Sequence, residues 1–166
     1  SATETRYSFN VAEAYGQAVA DLVNITKLPK ETVLGSFAGL TGKSGDSMVS
    51  GLRNTFARSI TPDDQRAFQI LLSGFETNMS RALGGGYASS GAKFAIEQYK
   101  DQVAREGDSP EAKALFLARA RQELDILARY YEKRPGAAPF VEELKRDAEE
   151  LKKAVPFSVD EVISAG

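Results

Sequence analysis

The sequence of 166 residues contains no histidine, no cysteine and no tryptophan. Without histidine, it lacks the side chain that most often acts as a general base near neutral pH. Without cysteine, it has no thiol nucleophile and no disulfide, and the usual zinc sites are excluded as well. We therefore predict no cofactor and no metal site. Carboxylate, hydroxyl, lysine and tyrosine chemistry stay open.

The chain also lacks long apolar runs and a strong charge of one sign. No stretch reaches the roughly 18 apolar residues of a membrane span, and no signal peptide is visible. A net charge of −2 and a pI near 5.3 disfavour a general nucleic-acid binder, which usually carries a basic face. These features predict a soluble protein. The absence of cysteine fits a reducing cytoplasm and a cysteine-poor virion or secreted protein equally well, so the location stays open.

The length fits one domain. We predict a single helical domain over residues 1–166, and the glycine run at 84–86 marks residues 84–91 as the best place for a subdomain break. Because the sequence begins at Ser1 rather than at methionine, we expect it to be part of a longer polypeptide.

Apolar residues recur at helical spacing through most of the chain. The clearest stripe covers 68–83, after the start signal Thr61-Pro62-Asp63-Asp64, and the glycine run ends it. Similar stripes follow Asn10, Ser89 or Ser90, Pro110, Pro139 and Ser158, with shorter ones after Pro29 and Met48. No alternating β-branched run is present. We predict an all-α protein, an irregular bundle of about seven helices.

The longest stripes also predict the layout of the core. Helix 62–83 should be central, with the helices around 11–26 and 110–133 packed against it. Four residues of these stripes should be buried: Leu72, Phe75, Leu124 and Leu127.

Two groups of residues are candidates for binding. Free backbone N–H groups at a helix start, with hydroxyls and a lysine, suit a phosphate or carboxylate. This predicts an anion site at Gly85, Gly86, Ser89, Ser90 and Lys93. Small residues that permit close approach predict a contact patch at Gly35, Phe37, Gly39 and Met48.

Two further features have a structural and a functional interpretation. Glu76 lies on the most apolar helix, where it is either a catalytic acid or a boundary residue paired with Arg81 or with a basic residue of another helix. Tyr130 and Tyr131 lie among basic residues, as in surfaces that stack on single-stranded nucleic acid. However, Tyr131 also continues a core stripe.

Two segments resemble helical segments of large bacteriophage virion proteins, which include internal and DNA-ejection proteins. They are the run from Thr61 to Leu83 and the ending from Val155 to Val162. The resemblance implies a structural domain of a longer phage polypeptide. It implies no functional residue.

Taken together, the missing chemistry and the regular helices favour a non-enzymatic structural or protein-interaction domain of a larger polypeptide. Its partners would be other protein chains or flanking segments of the same polypeptide. One alternative is a helical enzyme that uses carboxylates or hydroxyls, or a module that binds an anion or another ligand. The other is a virion domain that contacts nucleic acid.

Overall fold

The chain is helical throughout the part that the structure describes. This computed structural model describes residues 1–28, 62–84, 87, 90–106 and 110–165. Its elements in chain order are α1 Ala2–Thr26, α2 Pro62–Leu83, α3 Gly91–Glu106, α4 Pro110–Glu132, a 3-10 turn Ala138–Phe140, α5 Val141–Ala154 and α6 Val159–Ala165. No strand occurs in these ranges, so the predicted all-α class is confirmed.

The predicted count of about seven helices is too high for the described residues, which contain five helices of 14 residues or more. The segment after Ser158 gives a helix of only 7 residues, Val159–Ala165. The two short helices predicted after Pro29 and around Met48 fall within 29–61, outside the described residues.

Helix α1 begins nearly ten residues before the predicted start at Asn10. Its N-cap is Ser1, whose hydroxyl accepts a hydrogen bond from the Glu4 N–H at 3.2 Å, and the Glu4 side chain completes a capping box. The prediction failed because the first two turns are mostly exposed and the apolar stripe starts only at Val11. A stripe therefore marks where a helix packs, not where it begins.

The other start and stop signals are confirmed where the structure describes them. Helix α2 covers Pro62–Leu83 as predicted, and Gly84 follows it with φ of 56°. The Ser90 hydroxyl accepts from the Lys93 N–H at 3.1 Å and so caps α3. At α6, the Ser158 and Glu161 side chains each accept from the other's backbone N–H at 3.1 Å.

One hydrophobic core contains residues from all six helices. Leu72, Phe75, Leu124 and Leu127 are all buried, as predicted. Aromatic rings connect three helices in series. The ring centres of Phe68 and Tyr99 lie 5.4 Å apart. Those of Tyr99 and Phe116 lie 5.5 Å apart, and those of Phe116 and Phe75 lie 5.9 Å apart. Helix α2 packs along α1 and α3 packs along α4, while this ring series joins α2 to α4.

At three helix contacts, a carboxylate lies against a glycine of the neighbouring helix. A Cβ atom at Gly16 would lie 3.1 Å from an Asp147 oxygen, and one at Gly74 would lie 3.2 Å from an Asp21 oxygen. At Gly91 a Cβ atom would overlap the Glu123 carboxylate outright. Because glycine has no side chain, the carboxylates of the facing helix can approach the backbone at these positions. The contact between Gly91 and Glu123 lies in a pocket.

Candidate functional site

A pocket of about 250 Å³ opens where the end of α2, the start of α3 and the second half of α4 meet. Helix α2 contributes Met79 and Leu83, and α4 contributes Leu127, Ile126 and Tyr130. Two further lining segments supply polar groups: Ser90, Gly91 and Ala92 from the start of α3, and Glu123 from α4.

The pocket walls are apolar and its rim is exposed. Met79 and Leu127 are buried and form part of the core. At the mouth, Ile126 is 46% exposed and Tyr130 is 66% exposed. Because these two residues are four apart on α4, they project from the same side of the helix. Single exposed apolar residues are ordinary in proteins, whereas these two are adjacent and continue the apolar lining of the pocket to the surface.

Among the described residues that line this pocket, Glu123 is the charged one. It lies three residues before Ile126, so it shares the same side of α4, and its carboxylate contacts Gly91 at the first residue of α3. The positive end of a helix stabilises a carboxylate placed there. No ion pair or hydrogen bond of the Glu123 side chain is found among the described residues.

The neighbouring Tyr87 has a buried hydroxyl with no hydrogen-bond partner in the described part of the chain. Burial raises its pKa to about 12, and the negative charges of Glu76 and Glu97 add to the effect. The Lys93 ammonium lies 5.9 Å from the centre of the Tyr87 ring. Tyr87 therefore stays neutral across the physiological range and acts as a packing residue.

The predicted anion site is only partly described. Gly85, Gly86 and Ser89 lie outside the described residues. Ser90 caps α3, and the Lys93 ammonium lies 3.8 Å from Glu97. A phosphate at this helix start would lie beside the Glu123 carboxylate, and the two negative charges would repel each other. The anion site stays a prediction.

All four residues of the predicted contact patch, Gly35, Phe37, Gly39 and Met48, lie in the segment 29–61 and so outside the described residues. Glu76, in contrast, is well placed. Its carboxylate pairs with Lys100 of α3 at 3.0 Å, while Arg81 pairs with Glu13 of α1 at 3.5 Å. Glu76 is therefore a boundary residue paired with another helix, one of its two predicted roles.

Sequence reasoning missed Glu123, Ile126 and Tyr130 as a group. A signal was available, because Ile126 and Tyr130 form a second apolar line on α4 beside the core stripe that includes Leu124 and Leu127. The sequence does not show what faces this line. Only the fold brings the end of α2 and the start of α3 against it.

Within residues 1–28, 62–84, 87, 90–106 and 110–165, no group of three or more acidic side chains is arranged to hold a metal ion. None of the helices in those ranges combines the length and the apolar character that crossing a membrane requires. In comparisons with known proteins, no family model, no curated protein and no solved structure matches this chain.

Proposed function

We propose that this chain is a non-enzymatic helical domain that binds another protein segment through the pocket between α2, α3 and α4. The observation that carries the proposal is the pair Ile126 and Tyr130, exposed at the mouth of an apolar pocket. Tyrosine at the edge of a pocket is a frequent anchor in protein interfaces. A partner side chain that enters the pocket would bury both residues and the walls behind them.

The larger setting is part of the same proposal. The resemblance of Thr61–Leu83 and Val155–Val162 to phage virion segments supports a structural domain of a large virion polypeptide. In that setting the partner segment would come from another chain of the assembly or from a flanking part of the same polypeptide.

The proposal is tested by selecting binders from a random 12-residue peptide library against the 166-residue chain. Each selected peptide is then measured against Ile126→Ser. Ile70→Ser is the matched control, because Ile70 is also an exposed helical isoleucine, at 65%. It precedes the pocket residue Met79 by nine positions, about 13 Å along α2.

Selected peptides should bind the wild type and Ile70→Ser alike. They should lose about ten-fold or more in affinity for Ile126→Ser, as expected for an interface anchor. Far-ultraviolet circular dichroism establishes that both variants fold. A library that yields no binder, or binders that bind Ile126→Ser as tightly as the wild type, would refute the proposed function.

A further inference from the structure

Glu123 differs from its acidic neighbours in having no cationic partner among the described residues. Asp125, two residues away, lies 3.7 Å from Arg121, and Glu97 lies 3.8 Å from Lys93. Glu123 instead contacts the backbone at Gly91 and lines the apolar pocket. Within the described ranges, its charge is balanced by the start of α3 and by solvent.

Any partner that covers the pocket therefore removes water from a carboxylate. An apolar partner would leave that charge buried and unpaired, which is costly, and an acidic partner would add repulsion. A cationic group would replace the lost water with a charge-assisted hydrogen bond. The pocket thus discriminates between partners by charge as well as by shape.

The apolar walls suit a cation on a long aliphatic stem. Arginine and lysine side chains place their methylene groups along apolar surface while their charged ends reach a polar partner. Here Ile126 and Leu127 would contact the stem, and the Tyr130 ring could lie against the charged end. At about 250 Å³ the pocket is smaller than the roughly 300–1,000 Å³ of most small-molecule sites. A single long side chain is the occupant that fits this size.

From these observations, we infer that the pocket receives an arginine or lysine side chain of the partner segment and that Glu123 is its counter-ion. This inference rests on the proposed function, because it names the chemistry of the partner that the pocket binds. It assigns Glu123 a role in specificity, and Ile126 and Tyr130 a role in affinity.

The test uses the same selected peptides. They should be enriched in arginine or lysine, and replacing that residue by norleucine should weaken binding to the wild type about ten-fold, the ratio expected for one charge-assisted hydrogen bond. Against Glu123→Gln, the basic peptide and its norleucine analogue should bind within about three-fold of each other. Glu149→Gln is the control, since it removes the same charge from an exposed position on α5.

A second variant tests the geometry without removing the carboxylate. A methyl group at residue 91 would displace the end of the Glu123 side chain, which is flexible, and so Gly91→Ala should fold normally. It should nevertheless reduce the preference for the basic peptide over the norleucine analogue, because the carboxylate would no longer lie at its place in the pocket.

The possible outcomes separate the two proposals. Peptides that depend on Ile126 but carry no basic residue and ignore Glu123→Gln would overturn the inference and leave the proposed function standing. The inference would also be overturned if replacing the basic residue by norleucine weakened binding equally to the wild type, Glu123→Gln and Glu149→Gln. The positive charge of the peptide would then act at another site. Peptides that ignore Ile126→Ser overturn both.

Discussion

Two core tyrosines differ in what their hydroxyl groups contact. The Tyr131 hydroxyl donates a hydrogen bond to the backbone carbonyl of Ser8, which joins α4 to α1. The Tyr15 hydroxyl is buried and finds no hydrogen-bond partner among the described residues. Burial raises the pKa of Tyr15 far above its ordinary value, and Asp125 and Asp147 add to the shift, so this hydroxyl stays neutral.

The contrast predicts opposite effects for the same chemical change. Tyr131→Phe removes this hydrogen bond between α4 and α1, while the Ser8 carbonyl keeps its place in the backbone hydrogen bonding of α1. The change should lower the free energy of unfolding by about 0.5–1.5 kcal/mol. Tyr15→Phe removes an unpaired buried hydroxyl and should leave the stability unchanged or raise it. Urea denaturation measures both. A loss of more than about 1 kcal/mol in Tyr15→Phe would show that its hydroxyl has a partner in the folded protein.

Position 136 requires a glycine, because another part of the backbone lies close to it. Gly136 has φ of 83°, and a Cβ atom there would lie 3.0 Å from the Glu4 carbonyl oxygen. The turn after α4 therefore packs directly on the first turns of α1. The dipeptide Pro135-Gly136 is typical of a turn after a helix, but it does not indicate which part of the chain the turn contacts.

Among the helices, α2 contacts both α3 and α4 through aromatic rings. Phe75 is fully buried and meets the Phe116 ring edge-on, with an angle of 87° between the ring planes. Edge-to-face contact is a favoured arrangement of aromatic pairs. Because Phe116 in turn contacts Tyr99 of α3, a change at Phe75 affects the contacts of three helices.

Phe75→Ala should therefore lower the free energy of unfolding by about 3–5 kcal/mol, through lost burial and a residual cavity. Phe94→Ala is the matched control, since Phe94 is exposed and the centre of its ring lies 5.6 Å from the Arg119 guanidinium on the protein surface. It should cost about 1 kcal/mol or less. Urea melts that give Phe75→Ala a loss below about 1 kcal/mol would contradict its place in the core.

The helices show which features of the fold local sequence signals predict. A capping residue close to an apolar stripe, as at Thr61 and Ser158, predicted α2 and α6 closely, because both signals act within one turn. The predicted helix α1 was too short, because the first turns of this helix are exposed and carry no apolar stripe. The burial of Leu72 and Leu124 followed from periodicity, which reports the packed face directly.

The candidate site was much less predictable, because it depends on contacts between distant parts of the chain. Ser90 and Lys93 were singled out from local composition, and the structure places Ser90 at the pocket and Lys93 against Glu97. Glu123 is chemically ordinary in the sequence and becomes distinctive only through its contact with Gly91, 32 residues earlier. Periodicity specifies which face is buried, but not which helix will cover the other faces.

At the scale of the whole molecule, we expect stability to depend on pH through three half-buried aspartates on three helices of the described ranges. Burial is the main cause that raises the pKa of Asp21 on α1, of Asp125 on α4 and of Asp147 on α5. Each therefore binds its proton more tightly in the folded chain than in the unfolded chain. Their contribution to stability is fullest below the ordinary pKa of 3.8 and declines as the pH rises through the folded-state value.

Asp147 is the best of the three for a test, because Glu143 and Glu150 on the same helix further raise its pKa. Asp147→Asn keeps the size of the protonated side chain and stays neutral at every pH. At about pH 3 the variant and the wild type should therefore be equally stable, and the variant should gain an increasing advantage toward pH 7. Urea melts across this range measure the difference, with Glu149→Gln as the control on the same helix. A difference that stays constant with pH, or a wild type more stable than the variant at neutral pH, would mean that the folded chain stabilises the Asp147 carboxylate instead of penalising it.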